Sequence, residues 1–145
     1  MPYTARVQQG FATFDHTGDL GLEVWAGSPR ELYEHAAIAL MAQIADPGAD
    51  PPVERVEVTL EGDDPGDLLV HWLNSVLLES DLRHVVWTTV QVHRLTPRRI
   101  EATLMGPRLD PQRHTLFREV KAVSFHGMQL RLDPGDCRCR LVLDI

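Results

Sequence analysis

Lysine is nearly absent from this chain. Of its 14 basic residues only Lys121 is a lysine, and the rest are arginines. Cysteine is almost as scarce. Cys137 and Cys139 are too few and too close together to build a disulfide framework. No apolar run approaches the roughly 18 residues that a membrane span needs. Residues 1–10 show no apolar stretch of the kind a secretory leader carries, so we expect a cytoplasmic protein without a membrane partner. Gly-x-x-x-x-Gly-Lys, Gly-x-Gly-x-x-Gly and Gly-x-Ser-x-Gly are all missing, so no phosphate-cradling loop, dinucleotide fold or nucleophile elbow announces itself. The seven histidines include no His-Glu-x-x-His and no pair at i, i+4.

An excess of positive charge is also lacking. With 21 acidic residues against 14 basic ones the net charge is −7, a poor endowment for gripping phosphate backbones unaided. Strong direct binding of nucleic acid is therefore not expected. Action on a protein that handles nucleic acid remains open.

What is present is one domain's worth of ordinary globular chain. The 145 residues, 43% of them hydrophobic, suffice for one real core and leave little room for a second. We read 1–145 as a single domain with residues 1–10 as an N-terminal extension.

The pattern predicts strands at Phe11–Asp15 and Leu20–Ala26 around the loop His16-Thr17-Gly18-Asp19. Ser28-Pro29-Arg30-Glu31 is a capping box with proline at the first helical position. It opens a helix whose Leu32, Tyr33, Ala36, Ala37, Leu40, Met41 and Ile44 mark one buried face. Val56, Val58 and Leu60 alternate with polar residues as a half-buried strand does. Asp64-Pro65-Gly66-Asp67 caps a second helix carrying Leu68, Leu69, Trp72, Leu73, Val76 and Leu77. Val86–Leu95 and Ile100–Met105 read as a hairpin. Leu116–His126 fits helix or strand and is expected to end at Gly127. Met128–Leu132 and Cys137–Leu143 make a last hairpin through Asp133-Pro134-Gly135-Asp136. Mixed elements without βαβ alternation point to an α+β fold: one compact domain with mixed or antiparallel sheets and two main helices.

Three places have the residue types for chemistry. In the first turn Asp15, His16 and Asp19 could hold a metal or move a proton; Asp15 and Asp19 are equally plain turn formers. Asp144 alternates away from the apolar residues of the final strand, and the α-carboxylate of Ile145 follows it. Together they offer the hard oxygens that Ca²⁺ or Mg²⁺ prefers, or they are only a charged chain end. Lys121 supplies a compact ammonium in a chain that otherwise uses guanidinium, or it is the odd surface lysine. Cys137 and Cys139, on one face of a strand, read as core packing and not as half of a zinc site.

Three segments acquire meaning together. His16-Thr17-Gly18-Asp19-Leu20-Gly21, Val120-Lys121-Ala122-Val123-Ser124-Phe125-His126-Gly127-Met128 and Leu141-Val142-Leu143-Asp144-Ile145, in this order and spacing, resemble the archease family. Glu23-Val24-Trp25-Ala26 and Asp67-Leu68-Leu69-Val70-His71-Trp72-Leu73-Asn74 resemble it too. The likeness runs from about Phe11 to Ile145. It implies the archease fold and an accessory protein, not a stand-alone enzyme. The implied partner is the GTP-dependent RNA ligase that joins tRNA halves, whose guanylylation and repeated turnover archeases promote, with GTP and RNA held by the ligase. It implies a metal site at Asp19, Asp144 and Ile145, for Ca²⁺ with Mg²⁺ or Mn²⁺ as alternatives, and a catalytic role for Lys121 in the same cluster. Gly18 stands where the family has alanine, and Ser124-Phe125 where Thr-Tyr is common. Two other readings compete: an independent metal-dependent phosphoesterase using Asp15, His16 and Asp19, and a chaperone-like binding module.

Overall fold

The computed structural model describes residues 10–16 and 18–145, His16 by its backbone alone. The N-terminal extension before Gly10, Thr17 and the side chain of His16 thus lie outside the described residues.

Nine strands and two helices are present among them. Strands β1 (Phe11–His16) and β2 (Asp19–Ala26) form the expected first hairpin. Helix α1 (Pro29–Ile44) begins at Ser28, whose Oγ accepts from the Glu31 amide at 3.2 Å. Glu31 returns the bond one residue further back, its Oε2 accepting from the Gly27 amide at 3.3 Å. Helix α2 (Pro65–Arg83) repeats the device: Asp64 accepts from the Asp67 amide, and Asp67 from that of Asp63. These caps satisfy amides that the first turn leaves without partners.

The expected face of α1 is buried at Leu32, Tyr33, Ala36, Ala37, Leu40 and Met41, with Ile44 only half-buried, and it widens to Ala39 and Gln43, because the helix is covered by β2 and by β5 (Thr89–Thr96). The small alanines let these neighbours approach. Helix α2 lies against α1, β4 (Glu54–Glu61) and β8 (Ala122–Asp133). The Trp72 indole donates to the Tyr33 carbonyl at 2.9 Å and the Tyr33 hydroxyl to that of Pro65 at 2.7 Å, so the aromatic core is polar-satisfied where the helices meet.

Two antiparallel sheets flank the helices. One has the order β1-β2-β9-β8, with β9 at Asp136–Asp144; the other is β4-β6-β5, with β6 at Arg99–Gly106. A two-residue pair, β3 (Ala45–Asp46) with β7 (Thr115–Leu116), was invisible in the sequence. So short a pairing leaves no periodicity to read.

Three local expectations change. The segment 116–126 is no helix: β7 ends at Leu116, irregular chain follows, and β8 begins at Ala122. Gly127 does not end it. It sits inside β8 with φ +75°, where the register on β9 shifts between Ser124 and Gln129. A bulge at that point needs a residue tolerant of the left-handed region, and glycine is one. The hairpin expected from Val86 starts at Thr89, because Val85, Val86 and Trp87 are buried as irregular chain, the Trp87 indole donating to the Val76 carbonyl.

A candidate acidic tip on the long sheet

The final strand has the expected alternation. Cys139, Leu141 and Leu143 are buried and Arg140 and Asp144 are exposed; Val142, expected on the exposed face with those two, is the exception at 6% exposed. Strand β2 pairs with β9 through Leu20↔Leu143. Asp19 opens β2 and Asp144 closes β9, so the next register position sets the two aspartates across from each other. Residues opposite one another on an antiparallel pair share a face. Both line a single surface hollow of about 460 Å³, with Ser124, Phe125 and His126 on its other side. Asp19 is half-buried and Asp144 exposed. Ile145, 42% exposed, continues beyond them.

Lys121 joins this end through its backbone. Its amide donates to the Asp144 carbonyl at 2.7 Å, one residue ahead of the pair Ala122↔Asp144. The residue lines a neighbouring groove with Ile44, Asn74 and Leu78 and is not among those lining the Asp19–Asp144 hollow. Among the described residues its ammonium forms no ion pair. Amine and carboxylates thus border adjacent hollows on one end of the molecule.

Asp15 is not gathered with Asp19. It pairs with Leu20 while His16 pairs with Asp19, so the two aspartates project from opposite faces of the hairpin. Among the described residues no three His, Cys, Asp or Glu side chains form a metal-holding group. The two carboxylates of the tip suit a hard divalent cation whose remaining ligands are not such side chains.

The cysteines are structural. Both are buried and unpaired, and burial pushes the Cys139 thiol up to about 12. His35 is half-buried, with Nδ1 3.3 Å from the Trp25 carbonyl oxygen. His71 is exposed, meets Phe125 edge-on at 5.5 Å, and lies 3.6 Å from an Asp67 carboxylate oxygen.

One residue that shapes the tip was passed over in the sequence. The Asn74 carboxamide on α2 donates to the Val123 carbonyl at 3.0 Å and accepts from the Val123 amide at 2.9 Å. An amide lying four residues from Val70 and three from Leu77, in the apolar stripe of the helix, is the signal that could have exposed it.

With this geometry in place, the comparisons are specific. The sequence model of the archease protein family (MTH1598/TM1083) matches residues 11–145. A protein archease of Methanopyrus kandleri is 32% identical over 134 residues, covering 90% of this chain and 96% of the relative. One from Pyrococcus abyssi is 32% identical over 136 residues, 91% of this chain and 96% of its own. The solution structure of Methanobacterium thermoautotrophicum protein 1598 superposes with a TM-score of 0.79 at 28% identity, over 94% of this chain and 99% of that one. A Thermotoga maritima archease, named as a possible chaperone, shares the fold with a TM-score of 0.66 at 20% identity, over 91% of this chain and 94% of its own.

Proposed function

This chain belongs to the archease protein family, and from that premise we propose that it serves as an accessory protein of a GTP-dependent RNA ligase, promoting guanylylation and multiple turnover in tRNA splicing. The observation that supports this most is the meeting of Asp19 and Asp144 around one hollow, with the Lys121 amide bonded to the Asp144 carbonyl.

In this reading Asp19, Asp144 and Ile145 hold a divalent cation, Ca²⁺ by preference, with Mg²⁺ or Mn²⁺ as alternatives. Their donor set is all hard oxygen, the chemistry these ions select. A bound cation supplies charge neutralisation for phosphate oxygens of the partner's nucleotide. The two carboxylates fix its place at the rim of the sheet. Lys121, exposed at the neighbouring groove, offers an ammonium to an anionic group arriving from the ligase. Nucleotidyl transfer depends heavily on positioning and charge neutralisation, so a small accessory protein that supplies these can accelerate it. The covalent step and the GTP pocket belong to the ligase, and RNA is met only through it.

The phosphoesterase reading finds no comparable support, since Asp15 and Asp19 face apart. A cytoplasmic setting fits the proposed partner, and no helix among the described residues is long and apolar enough to cross a membrane.

The deciding experiment is ligation at many turnovers with the matching ligase, with and without this protein. Stimulation that vanishes in Asp19→Ala, Asp144→Ala and Lys121→Ala, all still folded, is the expected result. Equal ligation with and without the protein would overturn the proposal.

A further inference from the structure

The groove beside the tip, about 420 Å³ in volume, has an apolar floor that includes Ile44, Leu77, Leu109 and Val120. Leu78 stands at its edge 54% exposed. Leu82, 66% exposed, lies one helical turn beyond it. Phe117, also exposed, is tied by its amide to the Ile44 carbonyl, and exposed Leu116 pairs with Ala45. Among the described residues the remaining exposed large apolar side chains are Phe125 in the acidic hollow, Ile145 beyond it, and Val53. All but Val53 therefore belong to this end of the molecule. Apolar side chains gathered in this way around a charged site mark an interaction surface.

Charge says what kind of partner it suits. Asp81 and Glu119 border the groove, are exposed, and form no ion pair among the described residues. Seven of the chain's 13 arginines pair with carboxylates among the described residues: Arg55, Arg83, Arg99, Arg108, Arg113, Arg131 and Arg138. The two acids outnumber the one lysine of the groove, Lys121, and beside an apolar floor they complement an apolar knob flanked by basic residues.

We propose that this groove receives an apolar side chain flanked by arginine or lysine from the surface of the partner protein. Docking there presents the Asp19–Asp144 hollow and Lys121 to the partner's site, because Lys121 borders the groove and its amide holds the end of β9. The inference rests on the accessory-protein reading and adds to it the face that makes contact.

The test measures binding of the matching RNA ligase to the immobilised full chain at low and high salt. Leu78→Asp, on an exposed side chain, is expected to weaken binding at least tenfold, and Leu78→Ala by less. The double reversal Asp81→Lys/Glu119→Lys should weaken it comparably at low salt, with a smaller difference at high salt. Val53→Asp, at a side chain more exposed than Leu78 and outside the groove, should leave binding within twofold of the wild type. Thermal unfolding of each variant verifies its fold. Unchanged binding by Leu78→Asp and the double reversal, with Asp19→Ala still impaired in stimulation, overturns the groove and spares the functional reading. Failure of the wild type to bind ligase at all overturns both. Should Leu78→Asp instead convert a wild-type dimer to a monomer with ligase binding intact, the groove belongs to a second copy of this chain and the proposal is wrong.

Discussion

Asn74 and Val123 are joined by both of the hydrogen bonds that a neighbouring strand would supply. One side-chain amide on a helix serves as the missing edge partner for a buried residue of β8. This contact clamps α2 to the stretch that runs from Lys121 into the bulge, and on the other side of that stretch lies the end of β9. Two of the segments that build the tip thus depend on a carboxamide that never touches it.

Removing that carboxamide should cost stability locally and globally. Asn74→Ala strands the Val123 amide and carbonyl against the helix, an expected loss of about 1–3 kcal/mol. Asn74→Asp should be worse, since a carboxylate then faces the Val123 carbonyl oxygen. Urea unfolding gives the magnitude, and amide hydrogen exchange should show Lys121 and Val123 opening faster. Ser80→Ala, which removes the 2.6 Å bond to the Val85 carbonyl elsewhere on α2, should leave those two amides unchanged.

The proposed cation site predicts that stability should depend on divalent cation. Two like charges on facing strand ends repel, and a bound cation offsets that. Calcium at 100 times its dissociation constant is expected to stabilise the wild type by about 2.7 kcal/mol. Asp144→Asn should equal or exceed the wild type in metal-free thermal unfolding and gain nothing from calcium. A full calcium response in this variant would remove Asp144 from the site.

The acid limb of stability has a traceable contributor in Asp50. A hydrogen bond from His114, with Arg113 beside it, holds the Asp50 carboxyl below its ordinary range. A carboxyl depressed in the folded state stabilises fully above its unfolded value, about 3.9, and that contribution is lost as pH falls through the folded value. Stability should therefore decline below about pH 4, and Asp50→Asn should flatten that part of the curve while lowering stability at neutral pH. Urea titrations between pH 2.5 and 6, spanning the carboxylate range, would measure it.

Cys139 should be chemically silent. Its thiol is buried and pushed up to about 12, so the reactive thiolate is scarce at any ordinary pH. A thiol-exchange reagent at pH 8 should label it only at the rate of unfolding, faster in urea. Rapid labelling of the native protein would contradict its burial.

Much of the local structure was legible because its signals act over a few residues. Ser28 and Asp64 with their N1 prolines started both helices where the sequence said they would, since capping is settled within one turn. The last hairpin turned at Pro134-Gly135, with Gly135 at φ +74°. The alternation of β9 placed Asp144 away from the core. Elements without a local signature were missed. The β3–β7 pair spans two residues, the Val85–Trp87 stretch is apolar yet irregular, and the Gly127 bulge resembles a strand end.

Composition, caps, periodicity and the spaced motifs by themselves determined an α+β domain, its two helices and the identity of the residues at the tip. Only the tertiary structure decided which of those residues face one another. Asp19 and Asp144 meet because β2 and β9 pair in one register, set by the buried row Leu22, Val24, Cys139 and Leu141. A slip of one residue would turn that row to solvent. Lys121 reached the same end through its backbone bond to Asp144 and borders the groove beside it. Such placement depends on packing between segments far apart in the chain, which no window of sequence contains.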